Sequence, residues 1–159
     1  MKQILIILCI LSAGCATVRY HEILQQPTDK LLTASAGATI FRVNKTSDLP
    51  NAFGGRDIYG GKIDRGFSEV KLVKTEEKRF VYFLVKEVHL HSTDTTMDRY
   101  STRSNVESNQ SVIFGDSANR GIPVVIDTNE ENIYALGGIR VEIKEVKGSS
   151  IDYLLTKQQ

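Results

Sequence analysis

From residue 31 onward, apolar residues recur in short runs, and clusters of Gly, Asn, Asp, Ser and Pro separate them. Residues 31–35 and 39–44 bracket Gly37. Residues 67–74 alternate strictly, with Phe67, Glu69, Lys71 and Val73 on one side and Ser68, Val70, Leu72 and Lys74 on the other. Such period-two runs predict strands with one buried face. The strongest strand is expected at 79–90, where Phe80-Val81-Tyr82-Phe83-Leu84-Val85 is apolar at every position and is expected to be covered on both faces. Shorter strands are expected at 112–114, 122–126, 132–136, 139–146 and 151–155, with Pro123 at a strand start or edge because it has no N–H to donate. Gly137-Gly138 between two runs predicts a two-residue hairpin, since primed turns need positive φ at both central residues. There is no heptad, internal repeat or long amphipathic helix. The pattern predicts an all-β fold, an antiparallel β-sandwich of about seven to nine strands, with a small β-barrel as the alternative closure.

Three stretches break this rhythm. Residues 16–30 are polar and patternless; they read as a tether, with a short helix over residues 20–26 stopped by Pro27. Residues 44–66 are crowded with turn formers, including Leu49-Pro50-Asn51, Gly54-Gly55 and Gly60-Gly61. Residues 92–111 are dominated by Ser, Thr, Asn and charge and read as a solvent-facing hairpin or loop. The last residues, 156–159, read as a frayed tail.

The start of the chain has its own order. Met1-Lys2 precedes the apolar run from Ile4 to Leu11, then Ser12-Ala13-Gly14, then Cys15. A charged end, an apolar stretch and small residues before a cut site are the parts of a secretory signal. The run is far short of the ~20 apolar residues a membrane-spanning helix requires. With a cysteine directly after the small residues, residues 1–15 resemble the lipobox of bacterial lipoproteins. Ser12 departs from the branched aliphatic preferred three places before the cysteine, with Leu11 one place earlier. The resemblance implies that the signal, residues 1–14, is removed, and that Cys15 carries diacylglycerol and an acylated amine. Two or more acyl chains give stable anchoring where one is marginal. Ala16, in place of an aspartate after the cysteine, implies the outer membrane. The organisation expected is thus signal 1–14, lipidated tether 15–30, β-domain 31–155 and tail 156–159.

Composition narrows the function. Without residues 1–14, which carry one charge (Lys2), 145 residues remain with 19 basic and 19 acidic side chains. That balance speaks against a nucleic-acid partner, which calls for a basic excess. Cys9 leaves with the signal and Cys15 is lipidated, so the remaining domain is expected to have no free thiol for disulfides, metal ligation or nucleophilic catalysis. No cofactor is expected.

The glycine-rich segment 54–62 fails as a phosphate loop. Five residues separate Gly55 from Gly61-Lys62, one too many, and Ile63 stands where Ser or Thr is needed. A pair of tight turns flanking a short bridge is expected instead. No G-x-S-x-G elbow occurs, so the chain does not read as an enzyme. The candidate metal site is Glu87, His89 and His91, which alternate on one strand and share a face, with Asp94 or Asp98 as a further ligand. Arg99, Tyr100 and Arg103 lie in the Ser/Thr-rich stretch, offset by Asp94, Asp98 and Glu107, and read as solvated. The function expected is that of a membrane-anchored envelope lipoprotein whose non-catalytic β-domain binds or assembles with an envelope protein. The alternative is metal or small-ligand binding in the periplasm.

Overall fold

The structure, a computed structural model, describes residues 17–97, 111–112 and 121–158. Cys15, Asp98, Arg99, Tyr100 and Arg103 lie outside the described residues, as does most of the 92–111 stretch. The described residues form ten strands: β1 (Tyr20–Leu24), β2 (Leu31–Ser35), β3 (Thr39–Asp48), β4 (Lys62–Glu76), β5 (Phe80–His91), β6 (Ser111–Val112), β7 (Ile122–Asp127), β8 (Ile133–Leu136), β9 (Ile139–Lys147) and β10 (Ser150–Lys157). Nine of the ten are four residues or longer. One sheet runs β1-β3-β4-β5-β6, with β7 also pairing to β5, and the other runs β2-β10-β9-β8. Every strand pairing whose register is resolved is antiparallel. The sheets do not close, so the fold is a sandwich and the barrel alternative is set aside.

By internal packing the described chain falls into two compact units. One comprises residues 22–44, 66–89 and 121–158; the other comprises 17–21, 45–65, 90–97 and 111–112. The first is the sandwich proper. Its core draws Ile40, Phe41 and Val43 from β3, Val70 and Leu72 from β4, and Val81, Phe83 and Val85 from β5. From the other sheet come Val141 and Ile143 of β9 and Ile151, Tyr153 and Leu155 of β10. Apart from the adjacent Ile40 and Phe41 of β3, the i, i+2 spacing within these sets is the strand period expressed as burial. The Tyr153 hydroxyl, brought inside with its ring, donates to the Ile40 carbonyl at 2.9 Å, so the core carries no orphan there.

Several expectations need correction. The run over residues 80–85 has only one fully buried face, that of Val81, Phe83 and Val85. The opposite face is half-buried under charged stems: the Lys74 ammonium sits 4.5 Å over the Tyr82 ring and the Arg79 guanidinium 4.3 Å over Phe80. Amphipathic side chains can cover apolar surface while their heads stay wet, so a second protein layer is unnecessary. The alternation over 67–74 breaks at its end. Leu72 pairs with Phe83 and Lys74 with Tyr82, leaving Val73 as a bulged extra residue that faces solvent.

Residues 20–24 form strand β1 at the edge of the larger sheet, not a helix. The tail is not frayed at its start, because Thr156 and Lys157 pair with Arg140 and Ile139. The Gly137-Gly138 hairpin is as expected, with φ of 56° and 72° and Leu136 opposite Ile139. Gly66 is required for a different reason. A Cβ there would stand 1.9 Å from the Val88 carbonyl oxygen, and its φ is +97°.

Candidate functional site

Two of the three residues singled out as metal ligands meet in the sandwich unit. Glu87 and His89 project from β5 beyond the core-facing Val85, and the His89 Nε2 stands 3.4 Å from Glu87 Oε1. The same carboxylate oxygen accepts a hydrogen bond from Ser68 Oγ at 3.1 Å, across the β4–β5 pair where Ser68 lies opposite Glu87. His91 is exposed at the strand's end and does not line the site described next. Asp94 receives only a local turn, its N–H donating to Ser92 Oγ. Among the described residues no group of three or more His, Cys, Asp or Glu is placed to hold a metal ion.

Glu87 and His89 instead form the polar side of an apolar pocket of about 330 Å³, lined besides by Val85, Ile122, Val124, Tyr134 and Leu136. It lies where β5 and β7 of one sheet meet β8 of the other. The volume is at the small end of what binding clefts offer. Tyr134 packs its ring at 5.8 Å and 50° to Phe83, which ties the pocket wall to the core. Burial, and secondarily the Glu87 charge, push the Tyr134 phenol above its ordinary range, so it stays a neutral hydroxyl. The chemistry offered is a greasy wall with a carboxylate, an imidazole and a phenol at one end.

The other unit contains a cluster that the sequence reading passed over. Asp48, at the end of β3, is buried at 6% exposure and lies between β1 and β4 in the strand order. His21 of β1 brings Nε2 to 2.8 Å of Asp48 Oδ1, Lys62 of β4 bonds the same oxygen, and the Arg19 N–H donates to Oδ2 at 3.2 Å. Lys62, then His21, then the Arg19 amide hold the Asp48 carboxyl well below the usual carboxylate range, against the opposing effect of burial. Lys62 Nζ also stands 2.7 Å from His21 Nε2. That one nitrogen either donates to Asp48 or accepts from Lys62, not both. Ser47, next along the strand and so on its other face, accepts a hydrogen bond at its Oγ from Arg65 Nε at 2.9 Å. The cluster straps three strands together. His21 was read as part of a tether because a charged edge strand and a linker share a composition.

Beyond Asp48 the chain forms a built loop. Leu49 donates to the Gly61 carbonyl at 2.8 Å and accepts from the Asp57 N–H at 2.7 Å, closing residues 49–61 at the base. Asn51 Oδ1 takes the N–H groups of Phe53 and Gly55, both at 2.9 Å; buried Asp57 takes those of Tyr59 at 3.1 Å and Gly61 at 2.8 Å. These are Asx turns, and a Pro50–Arg56 bridge stands between them. The two tight turns expected in this segment are the Asx turns at Asn51 and Asp57. What the sequence did not disclose is what the turns display: Phe53 at 95% exposure, Ile58 at 85% and Tyr59 at 76%.

No protein-family model matches the chain, and neither the curated proteins nor the solved structures include a significant match to it.

Proposed function

We propose that the protein is a lipoprotein of the bacterial cell envelope, anchored through Cys15 in the outer membrane, whose non-catalytic β-sandwich acts by binding or assembling with an envelope protein. The observation that carries this reading is the order Met1-Lys2, apolar 4–11, small residues, Cys15. Balanced charge supports a protein partner over nucleic acid. The unclosed sheets support contact by strand addition, since β8 ends one strand order and β1 the other. Replacing Cys15 with Ser tests the anchor. The variant is expected to lose acyl labelling and to leave the membrane in a carbonate wash, whereas retention after the wash would refute the tether.

The pocket beside Glu87 and His89 favours a second reading, capture of a small apolar molecule with a cationic or donor end. Ile122→Arg, at an exposed wall position, separates the two. It abolishes small-ligand binding and leaves capture of a protein partner intact.

A further inference from the structure

Phe53, Ile58 and Tyr59 are the three most exposed of the large apolar side chains among the described residues, and all belong to one thirteen-residue loop. Solvent-facing apolar residues are ordinary when scattered, but grouped on one surface element they mark a contact. The exposure is fixed by the loop's construction. Asn51 and Asp57 use their carboxamide and carboxylate to hold four backbone N–H groups, so the turns between them keep their shape while the apolar side chains point outward. Met97 is exposed as well, one residue after Thr96, whose N–H bonds the Pro50 carbonyl at 2.8 Å at the foot of the same loop.

The surface's charge suits one kind of partner. Within the loop, residues 49–61, the exposed charged side chain is Arg56, and the one acid, Asp57, is buried beneath its amides; Lys62, the next residue, is paired with Asp48. Aromatic and aliphatic side chains beside a cation are the composition of elements that lie in the headgroup region of a bilayer, with anionic lipids favouring the basic residue.

Covalent geometry brings that bilayer within reach. Cys15 and Arg19 are four peptide steps apart, so whatever path the chain takes their Cα atoms lie no more than about 14 Å apart. Arg19 is bonded to Asp48 through both its N–H and its carbonyl, and Asp48 is the residue before the loop's base. A lipid on Cys15 therefore holds the root of the loop close to the membrane surface.

We infer that the 49–61 loop is a second, non-covalent membrane contact, seating Phe53, Ile58 and Tyr59 in the lipid interface once Cys15 is anchored. The inference rests on the lipoprotein reading above. It predicts a defined orientation in place of a domain swinging on a leash, because two attachment points restrain rotation where one does not.

The chain contains no tryptophan, so Phe53→Trp installs a unique fluorescent reporter at the loop tip, with Tyr59→Trp as an independent second position. The full lipidated protein is reconstituted into vesicles of phosphatidylethanolamine and phosphatidylglycerol and separated by flotation. The expected result is that the protein floats, tryptophan emission shifts to the blue, brominated lipid quenches it, and quenching by aqueous acrylamide drops several-fold at both positions. A protein that floats with emission and acrylamide quenching unchanged refutes the loop contact and leaves the anchor standing. A protein that does not float refutes both. A reporter already shielded before vesicles are added also overturns the inference.

Discussion

The two units are held together by different chemistry. In the sandwich, sixteen apolar residues are buried in one cluster that draws on both sheets, against three buried polar ones, Ser68, Glu69 and Asp152. In the unit around residues 45–65 the proportion is reversed. Leu49 and Ile63 are the large apolar residues fully buried there, and Ser47, Asp48, Asp57 and Ser92 are buried beside them. The first unit is stabilised chiefly by removal of apolar surface from water, which is non-directional and tolerant of detail. The second depends on directed bonds from a few side chains to backbone amides and neighbouring strands. Each such bond contributes little net stability, yet leaving its partner buried and unbonded is expensive. One unit should therefore fail by cavities and the other by single polar losses.

The largest effect is expected in the sandwich. Phe83 is 1% exposed and touches the Tyr134 ring, so Phe83→Ala should cost about 3–5 kcal/mol through lost burial and an unfilled cavity. Against a usual total of roughly 5–15 kcal/mol that is a large share. A denaturant midpoint within error of the unaltered protein would mean that the core is not where the burial places it.

That residue was legible because its signal is periodic. Strands β2, β5, β7, β8, β9 and β10 could be read from the chain to within a few residues, since apolar alternation and glycine-rich turns are local properties of sequence. What could not be read depends on partners distant in sequence. The bulge at Val73, which shifts the β4–β5 register between Leu72 and Lys74, depends on the pairing with β5. Tyr20–Leu24 carries no apolar alternation, and it is a strand because Asp48, 27 residues beyond His21, bonds it. The pairing of Glu87 with His89 was foreseeable from spacing. The apolar pocket they border was not, since its other walls come from β7 and β8. The turns of 49–61 were visible in Asn51, Gly54, Asp57 and Gly60, but turn chemistry says nothing of where Phe53 will point.

Acid should separate the units by their polar straps. The folded-state pKa of Asp48 is lowered, by Lys62 first and His21 second, so its contribution is fully present above the ordinary aspartate value. It is lost as pH falls below about 4 and through the lowered folded value. Asp152 of the sandwich, lowered by Lys147 and then Thr33, follows the same sign, but there the apolar cluster persists when the ion pair goes. Hydrogen exchange measured down through that window should show amides of 45–65 opening before those of β9 and β10. In Asp48→Asn that early opening should be present already at neutral pH and no longer depend on acid. Uniform loss of protection across both units would erase the distinction drawn between them.

The smallest effect is the most discriminating. If Asn51 and Asp57 alone set the loop's shape, its apolar side chains contribute nothing to folding. Phe53→Ser and Tyr59→Ser should then each change stability by about 0.5 kcal/mol or less, as surface substitutions usually do. Phe53 is 95% and Tyr59 76% exposed, and the main-chain N–H groups of both residues, bonded to Asn51 and Asp57, are kept by serine. Thermal unfolding of the two variants checks this directly. A loss approaching that of Phe83→Ala would show that the loop packs inward and that its exposure is not a display surface. A negligible loss, by contrast, leaves large apolar side chains held outward at no benefit to the fold. Their placement then has to be explained by something outside the chain, and under the proposed anchoring at Cys15 the nearest such surface is a membrane.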